Sequence, residues 1–348
     1  MSTLYNDIFL QIGNFLSNRD KINLSMLWNS MYHLKFRFTY HEKVNIMKIA
    51  KLPYFINFTN VEAPQSILPN LRSDKCIYFK SRTANVPDNV THLTFDDDFN
   101  QPLLSIPPSV KYLAFGKKFN QPIDFIPTSV THLIFGDDFN QPIKGIPESV
   151  VFLIFGYSFN QTIRYCIPKS VKYLEFGDDF NQKIYEQSIS DSLVCLTIGS
   201  HFSHLLCLIT MSIEYLTFRD DFNKCIADLP TKITHLTFGH RFNQSITERI
   251  LGFAGSIYIK SIPNSVTHLT FGDDFNKPTF GGIPNSTTHL KFGKNFNQFL
   301  CTNKEMPLTH LTYDVQDKYM PPSVIELTLS KDYKHDISGL TGIKIIRI

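Results

Sequence analysis

Val130-Thr131-His132-Leu133-Ile134-Phe135-Gly136-Asp137-Asp138-Phe139-Asn140-Gln141-Pro142-Ile143, followed by Ile146-Pro147, is one unit of a repeat that runs through most of the chain. Its Phe-Asn pair, or the Phe of that pair, returns at Phe99, Phe119, Phe139, Phe159, Phe180, Phe222, Phe242, Phe275 and Phe296. Most of these are 20 or 21 residues apart. The gap of 42 after Phe180 holds a unit, Phe202-Ser203, that has lost its Asn, and the gap of 33 after Phe242 holds an insertion. A period of this size signals a solenoid: each unit is too small to bury its own core and does so against its neighbours.

Within a unit, the alternation in Val90-Thr91-His92-Leu93-Thr94-Phe95 puts Leu93 and Phe95 on one side of a strand and His92 and Thr94 on the other. Leu133/Phe135, Leu216/Phe218 and Leu290/Phe292 fill the same inward slots in other units. A Gly usually follows, where the chain turns, and then Phe-Asn. The Phe predicts a second buried column. The Asn predicts a turn ladder, its amide bonding backbone groups that the bend leaves unpaired. Pro102, Pro122 and Pro142, and the Ile-Pro pairs after them, rule out helix on the return leg, which is expected to be extended or a short 3₁₀ turn. Strand signals from Leu93 to Leu329 give about twelve rungs, an array about 55–60 Å long at roughly 4.8 Å per rung.

The unit resembles the leucine-rich repeat, with Phe replacing several leucines. More specifically it resembles the FNIP repeat, whose core reads Phe-Asn-Gln-Pro-Ile at 119–123 and 139–143. Repeats of that family are known mainly from social amoebae and from giant viruses of amoebae. A composition rich in Phe, Ile, Asn, Lys and Tyr fits an AT-rich genome of either kind. The resemblance implies a repeat solenoid, an LRR-like parallel β array with proline-rich, non-helical return segments.

The first fifty residues change period. Leu4, Ile8, Ile12, Phe15 and Leu16 lie at helical spacing, and a second helix through Ile22, Leu24 and Leu27 is one that Asp20 could cap. Leu4, Asp7, Ile8, Ile12, Leu16 and Asp20 fall on positions of the F-box pattern, which this segment resembles. It departs from that pattern at Tyr5, where the family has Pro, and at Trp28, three places early. The resemblance implies docking to the linker subunit of a cullin-RING (SCF-type) ubiquitin ligase, with Leu4, Ile8, Ile12 and Leu16 as the docking face. The residues fit equally a helical cap on the first repeat. These readings divide the chain into an F-box-like helical domain at 1–45, a linker and N-terminal cap at 46–75, repeats at 76–330 and a C-terminal cap at 331–348.

Thirty-four Lys+Arg against 31 Asp+Glu, with no block of like charge, argue against a dedicated nucleic-acid or membrane surface. The six cysteines form no C-x-x-C, so neither a zinc knuckle nor a disulfide framework is expected. No run of 18 apolar residues and no apolar N-terminal signal occur, which makes the cytoplasm (the host's, if the chain is viral) the expected compartment.

The outward slots of the strands carry His92, Tyr112, His132, Phe152, Tyr173, Tyr215, His235, His268, His289 and His310. On the concave side of a curved solenoid, such an aromatic and imidazole stripe is the candidate surface for a client protein. A metal ladder is the sharper reading of the histidines, but a tight site needs mixed ligands converging on one point. Asp-Asp pairs at 97–98, 137–138, 178–179, 220–221 and 273–274 alternate with Lys117-Lys118 and His240-Arg241, which suits cross-rung charge pairing better than a calcium ladder. Catalytic signatures such as G-x-S-x-G, H-E-x-x-H or a phosphate loop are missing, and Cys195 sits in a strand slot as a small repeat residue. No catalytic, metal or cofactor residue is therefore expected. The insertion at 247–260 reads as a loop that carries recognition or as a degenerate extra rung. The function expected is a non-enzymatic adaptor that brings a client to the ligase. The alternative is a binding scaffold with no ligase role, and a metal-dependent enzyme on the histidine column is a third reading.

Overall fold

The computed structural model describes residues 16–26, 38–45, 59–62, 76–185, 188–204, 212–226, 229–252, 255–300, 306–313, 321–331, 333 and 340–348. Leu4, Ile8 and Ile12 lie outside them, while Leu16 is described and half-buried.

Among the described residues one helix, α1 (Asn18–Met26), precedes the sheet. Ser17, not Asp20, caps it: Ser17 Oγ accepts the Asp20 N–H at 3.1 Å and donates to the Asp20 carboxylate at 2.6 Å. Asp20 thus stands at the third helical position, where its charge suits the helix N-terminus. The helix is tied to the segment that opens the sheet. Lys21 is buried and its Nζ donates to the Thr39 carbonyl at 2.8 Å, and Asn18 bonds Glu42 through both backbone and side chain.

Sixteen strands then form one sheet. They are β1 (Val44–Asn45), β2 (Asn60–Glu62), β3 (Cys76–Ser81), β4 (His92–Phe95), β5 (Tyr112–Ala114), β6 (His132–Ile134), β7 (Phe152–Ile154), β8 (Tyr173–Glu175), β9 (Cys195–Ile198), β10 (Tyr215–Phe218), β11 (His235–Thr237), β14 (His268–Thr270), β15 (His289–Lys291), β16 (His310–Thr312), β17 (Glu326–Leu329) and β18 (Lys344–Arg347). All pair in parallel with their sequence neighbours, and β11 pairs directly with β14. Leu opposes Leu at nearly every step, as in Leu113↔Leu133 and Leu269↔Leu290. From β4 to β17 this gives the twelve rungs expected. The sheet also starts earlier, at β1 and β2, and the Ile-rich segment 344–347 joins it as a further rung.

The insertion is neither a loop nor a rung. It is an antiparallel hairpin of β12 (Thr247–Gly252) and β13 (Gly255–Lys260), paired as its own two-stranded sheet. Two six-residue strands paired antiparallel satisfy each other's backbone groups, so the excursion leaves the β11–β14 pairing intact.

Three columns fill the core. Leu93 to Leu327 form the first, buried throughout. Phe95, Phe115, Phe135, Phe155 and Phe176 form the second, with neighbouring rings 5.4–5.6 Å apart and nearly parallel. Phe99, Phe119, Phe139, Phe159, Phe180 and Phe202 form the third, at 5.8–6.2 Å. Within a rung the two rings also stack, at 4.2 Å in Phe95–Phe99. Burying each ring contributes roughly 1.5–3 kcal/mol before stacking is counted.

The corners are held by polar ladders. Asn120 Oδ1 accepts the Asn140 N–H and the Gln141 side chain, each at 3.0 Å, and Asn140 Oδ1 does the same for Asn160 and Gln161. This is the turn ladder that the Phe-Asn pair implies. At the opposite corner the Ser of Ile-Pro-x-Ser-Val donates to the Val carbonyl one rung back, at 2.7 Å for Ser129→Val110 and Ser149→Val130. The glycine after each strand is needed for room: a Cβ on Gly156 would lie 1.9 Å from the Gly136 carbonyl oxygen. No helix occurs on the return legs among the described residues. The Asp slots pair across rungs as expected, with Lys118–Asp98 at 2.6 Å, Arg241–Asp221 at 3.0 Å and Lys294–Asp273 at 2.9 Å.

Candidate binding face

The ten residues read as an outward stripe occupy one column, each opposite the next across the parallel ladder except where Cys195 separates Tyr173 from Tyr215. Tyr78 heads it on β3, Cys195 interrupts it on β9, and Glu326 and Lys344 follow His310 on β17 and β18. The rings stack on one another. His132–Phe152 and Phe152–Tyr173 are 4.4 and 4.1 Å apart, and Tyr215–His235 is 4.4 Å. His235, His268, His289 and His310 then follow at 4.1 Å per step, within 14° of parallel. Within the stacked runs each ring covers the face of the next, so the column there offers ring edges to a partner. It is a hydrogen-bonding strip rather than a stacking platform of the kind that single-stranded nucleic acids use.

A second regularity fixes the orientation of the histidine rings. Each of the six histidines follows a threonine, whereas Tyr112, Phe152, Tyr173, Cys195 and Tyr215 follow Lys, Val, Lys, Val and Glu. The threonine Oγ1 donates to a backbone carbonyl one rung back: Thr234 to Glu214, Thr267 to Thr234, Thr288 to Thr267 and Thr309 to Thr288, at 3.1–3.2 Å. The same Oγ1 lies 2.9 Å from Nδ1 of the next residue, His235, His268, His289 or His310. Each hydroxyl thus bridges the carbonyl one rung back and Nδ1 of the ring, which fixes how the ring is turned. Thr91 and Thr131 hold His92 and His132 in the same way.

Burial pushes the imidazoles of His92, His132, His235, His268 and His289 below their ordinary range, because a charged ring loses hydration there. Neighbouring histidines push most of them the same way, while Glu214 and Glu326 oppose the shift at His235 and His289.

The adjoining column divides the face into zones. On β5 to β7 it carries Ala114, Ile134 and Ile154, next to Tyr112, His132 and Phe152. From β9 on it carries Thr197, Thr217, Thr237, Thr270, Lys291 and Thr312. A concavity of about 570 Å³ is lined by residues from β8 through β15, including Glu175, Thr217, Arg219 and Lys291. Another, of about 380 Å³, is lined by Ile134, Ile154, Tyr157 and the same Arg219. A third, of about 240 Å³, opens over His268, His289 and His310.

Arg219 therefore stands between the two larger concavities. It occupies the slot that holds Gly199 and Gly239 in the flanking rungs. Its Nη2 donates to Glu175 two rungs away, Nη1 lies 3.9 Å from Asp178, and Nε–H is buried without a hydrogen-bond partner. Sequence reasoning passed over Arg219, although it breaks the glycine slot, and over the Thr-His pairing, although that dipeptide recurs six times. Cys195 is half-buried, and its thiol is pushed up by burial and by Glu214, which makes it a weak nucleophile. No group of three or more His, Cys, Asp or Glu among the described residues converges on a metal-sized site.

Comparison with known proteins agrees with this architecture. The FNIP Repeat family profile matches residues 84–118, 119–158, 159–201, 256–295 and 279–303, just under half of the chain. The crystal structure of the giant-virus protein CroV588, described as a novel circular LRR protein, superposes with a TM-score of 0.61 at 32% identity over 88% of this chain. The chain spans about half of that protein, 51% of its length. A leucine-rich repeat protein from Bacteroides ovatus ATCC 8483 aligns at 12% identity over 79% of this chain and 84% of its own, with a TM-score of 0.19, too loose a superposition to bear on the fold. No curated protein sequence matches the chain.

Proposed function

On the premise that this chain carries FNIP repeats wound into an LRR-like solenoid, we propose that it is a non-enzymatic adaptor: the strand face binds a client protein, and the N-terminal helical segment docks the linker subunit of a cullin-RING ubiquitin ligase. The observation that supports client binding is the zoned strand face itself. Apart from the buried Ala114, its outward column and the column beside it lie half-buried to exposed over twelve rungs, with concavities between them. Such a surface joins apolar area to oriented polar groups, the combination that protein interfaces use.

The ligase half of the proposal rests on the F-box-like spacing of Leu4, Ile8, Ile12 and Leu16 and on the anchoring of α1 to the start of the sheet through Lys21–Thr39 and Asn18–Glu42. That anchoring would hold a docked ligase core in a fixed orientation to the client. Ubiquitin chemistry would belong to the partners. The cytoplasm, of the host if the chain is viral, is the compartment where such a ligase works. No described helix is long and apolar enough to cross a membrane.

Affinity capture followed by mass spectrometry tests both halves with the full chain. Leu4→Asp with Ile8→Asp should lose the linker subunit and cullin while keeping the client. Ile154→Lys should lose the client and keep the ligase subunits, and it is compatible with the fold because Glu175 and Lys291 already occupy that column. If no ligase subunit is recovered with the unaltered chain, the protein is a binding scaffold.

A further inference from the structure

We propose that Lys144, Arg164, Tyr165, Lys183 and Tyr185 form a second interaction surface, on the return legs, that takes an acidic segment of a partner protein. It lies apart from the strand face and does not depend on the client reading.

The surface is built on a strained turn. Residues 163–166 form a β-turn that the Cys166 N–H closes on the Ile163 carbonyl at 3.1 Å, and its third residue, Tyr165, has φ 60°. Residues 279–282 form a turn of the same kind, closed by the Gly282 N–H on the Thr279 carbonyl at 2.9 Å, with Gly281 third at φ 68°. Gly145 has φ 69° at the matching place, six residues after its Phe, as Tyr165 and Gly281 are after theirs. Glycine is what the repeat uses where this bend needs a left-handed residue. Tyr165 is the one non-glycine residue with positive φ among the described residues. A left-handed backbone crowds Cβ against the following carbonyl oxygen, and a ring that stays 66% exposed offsets little of that by burial. A residue held at such a cost without a packing reward points to use at the surface.

The turn presents an arginine between two aromatic rings. The Arg164 guanidinium lies 5.2 Å from the centre of the Tyr165 ring and 5.5 Å from that of Tyr185, one rung on, and Lys183 Nζ lies 5.2 Å from the Tyr185 ring. Stacking on tyrosine orients the fork while leaving its N–H groups for a ligand. The hydrogen bond it makes is a long one, 3.5 Å from Nη2 to Tyr165 Oη. Elsewhere the array pairs arginines with acids: Arg82 with Asp96, Arg219 with Glu175 and Arg241 with Asp221. No ion pair among the described residues includes Arg164, Lys183 or Lys144, which holds the Arg164 slot one rung back. Three exposed cations without a partner select carboxylates, and the arginine takes one through two parallel N–H···O bonds.

The preceding rungs supply an apolar end. Phe125 and Leu104 are exposed at the same corner, in the Tyr165 and Arg164 slots two and three rungs back. Nothing stands within 4 Å of where a Cβ on Gly145 would be, so the corner is notched between Phe125 and Tyr165. Asp124, beside Phe125, repels an acid at that end. Leu104 to Tyr185 spans about 19 Å at roughly 4.8 Å per rung, the reach of about six extended residues. The segment that fits is short, with its acids over Lys144, Arg164 and Lys183 and its apolar residues over Phe125 and Leu104.

The test titrates the full chain by anisotropy, at low salt, with two labelled hexapeptides, Leu-Phe-Ser-Glu-Glu-Glu and its reverse, so that either chain direction can seat. Each is run beside a counterpart with Lys for Glu. The better acidic peptide should bind at least about tenfold more tightly than its lysine counterpart. Arg164→Gln, at an exposed side chain, should weaken that binding by at least about tenfold with the melting temperature unchanged. Tyr165→Gly gives the turn the residue that the repeat uses elsewhere. It should weaken the acidic peptide and raise the melting temperature, since strain kept for binding is released. Acidic peptides that bind no better than the lysine ones, or that bind Arg164→Gln unchanged, overturn the proposal. A lower melting temperature in Tyr165→Gly does so too, because it makes the tyrosine a packing residue. Binding to phosphatidylserine vesicles with no binding to either acidic peptide overturns it in favour of a lipid surface. The strand-face reading fails separately, as client capture that Ile154→Lys leaves intact.

Discussion

Asn120 and Asn140 sit one rung apart, and the side-chain oxygen of the first accepts the backbone N–H of the second at 3.0 Å. Repeated through Asn160 and Asn181, this link satisfies the donors that the corner would otherwise strand. Asn140→Ala should leave the Asn160 N–H unpaired and cost about 1–2 kcal/mol, whereas Asn140→Asp, which keeps the acceptor, should cost less. Denaturant midpoints of the two variants decide it, and equal losses would show that the ladder adds nothing to packing.

Gly156→Ala places a methyl 1.9 Å from the Gly136 carbonyl oxygen and 2.3 Å from its carbon, so a backbone step has to open. A loss of about 1–3 kcal/mol is expected. Gly145→Asn is the control. Gly145 has φ 69° and open space around it, a backbone region that Asn tolerates, and its melting temperature should stay near that of the unaltered chain.

Arg219→Gly restores the glycine of the repeat and removes the bridge to Glu175. Both side chains are about a third exposed, at 32% and 34%, so the change in stability should stay within about 1 kcal/mol. The same substitution joins the two concavities that Arg219 separates. A client seated across both should therefore change affinity with no matching change in denaturant midpoint.

Acid should destabilise the array before its carboxylates titrate. The folded chain holds His92, His132, His235, His268 and His289 below their ordinary range, so the unfolded chain binds protons first as pH falls. Their contribution is complete above the unfolded value near 6.5 and is lost as pH falls through the lower folded values. The melting temperature should decline between about pH 7.5 and 5.5. Asp96 and Asp273, whose hydrogen-bonding partners Arg82 and Lys294 hold their carboxyls low, add losses only at more acid pH. A flat profile across the histidine range would show that the rings are not held neutral by the fold.

The twelve rungs from β4 to β17, the Leu and Phe columns, the Asn corner and, among the described residues, the helix-free return legs were all legible in the sequence. So was the placing of His92 through His310 in one outward column. The physical reason is that a parallel ladder sets equivalent residues of successive units opposite one another, so a period in the chain becomes a column in space. Features without a period had to wait for the tertiary structure. Ser17 rather than Asp20 caps α1, because a cap depends on where the backbone leaves the helix. The 247–260 segment pairs with itself, because two strands close together in the chain complete each other's hydrogen bonds more readily than one of them joins a ladder that is already complete. Arg219 reaches Glu175, 44 residues back and two rungs away, through a side chain that no repeat pattern describes. The Thr-His dipeptide stands in between. Its recurrence is written in the sequence, but the contact of each threonine hydroxyl with both its neighbouring ring and the carbonyl one rung back follows only from the stacking of the strands.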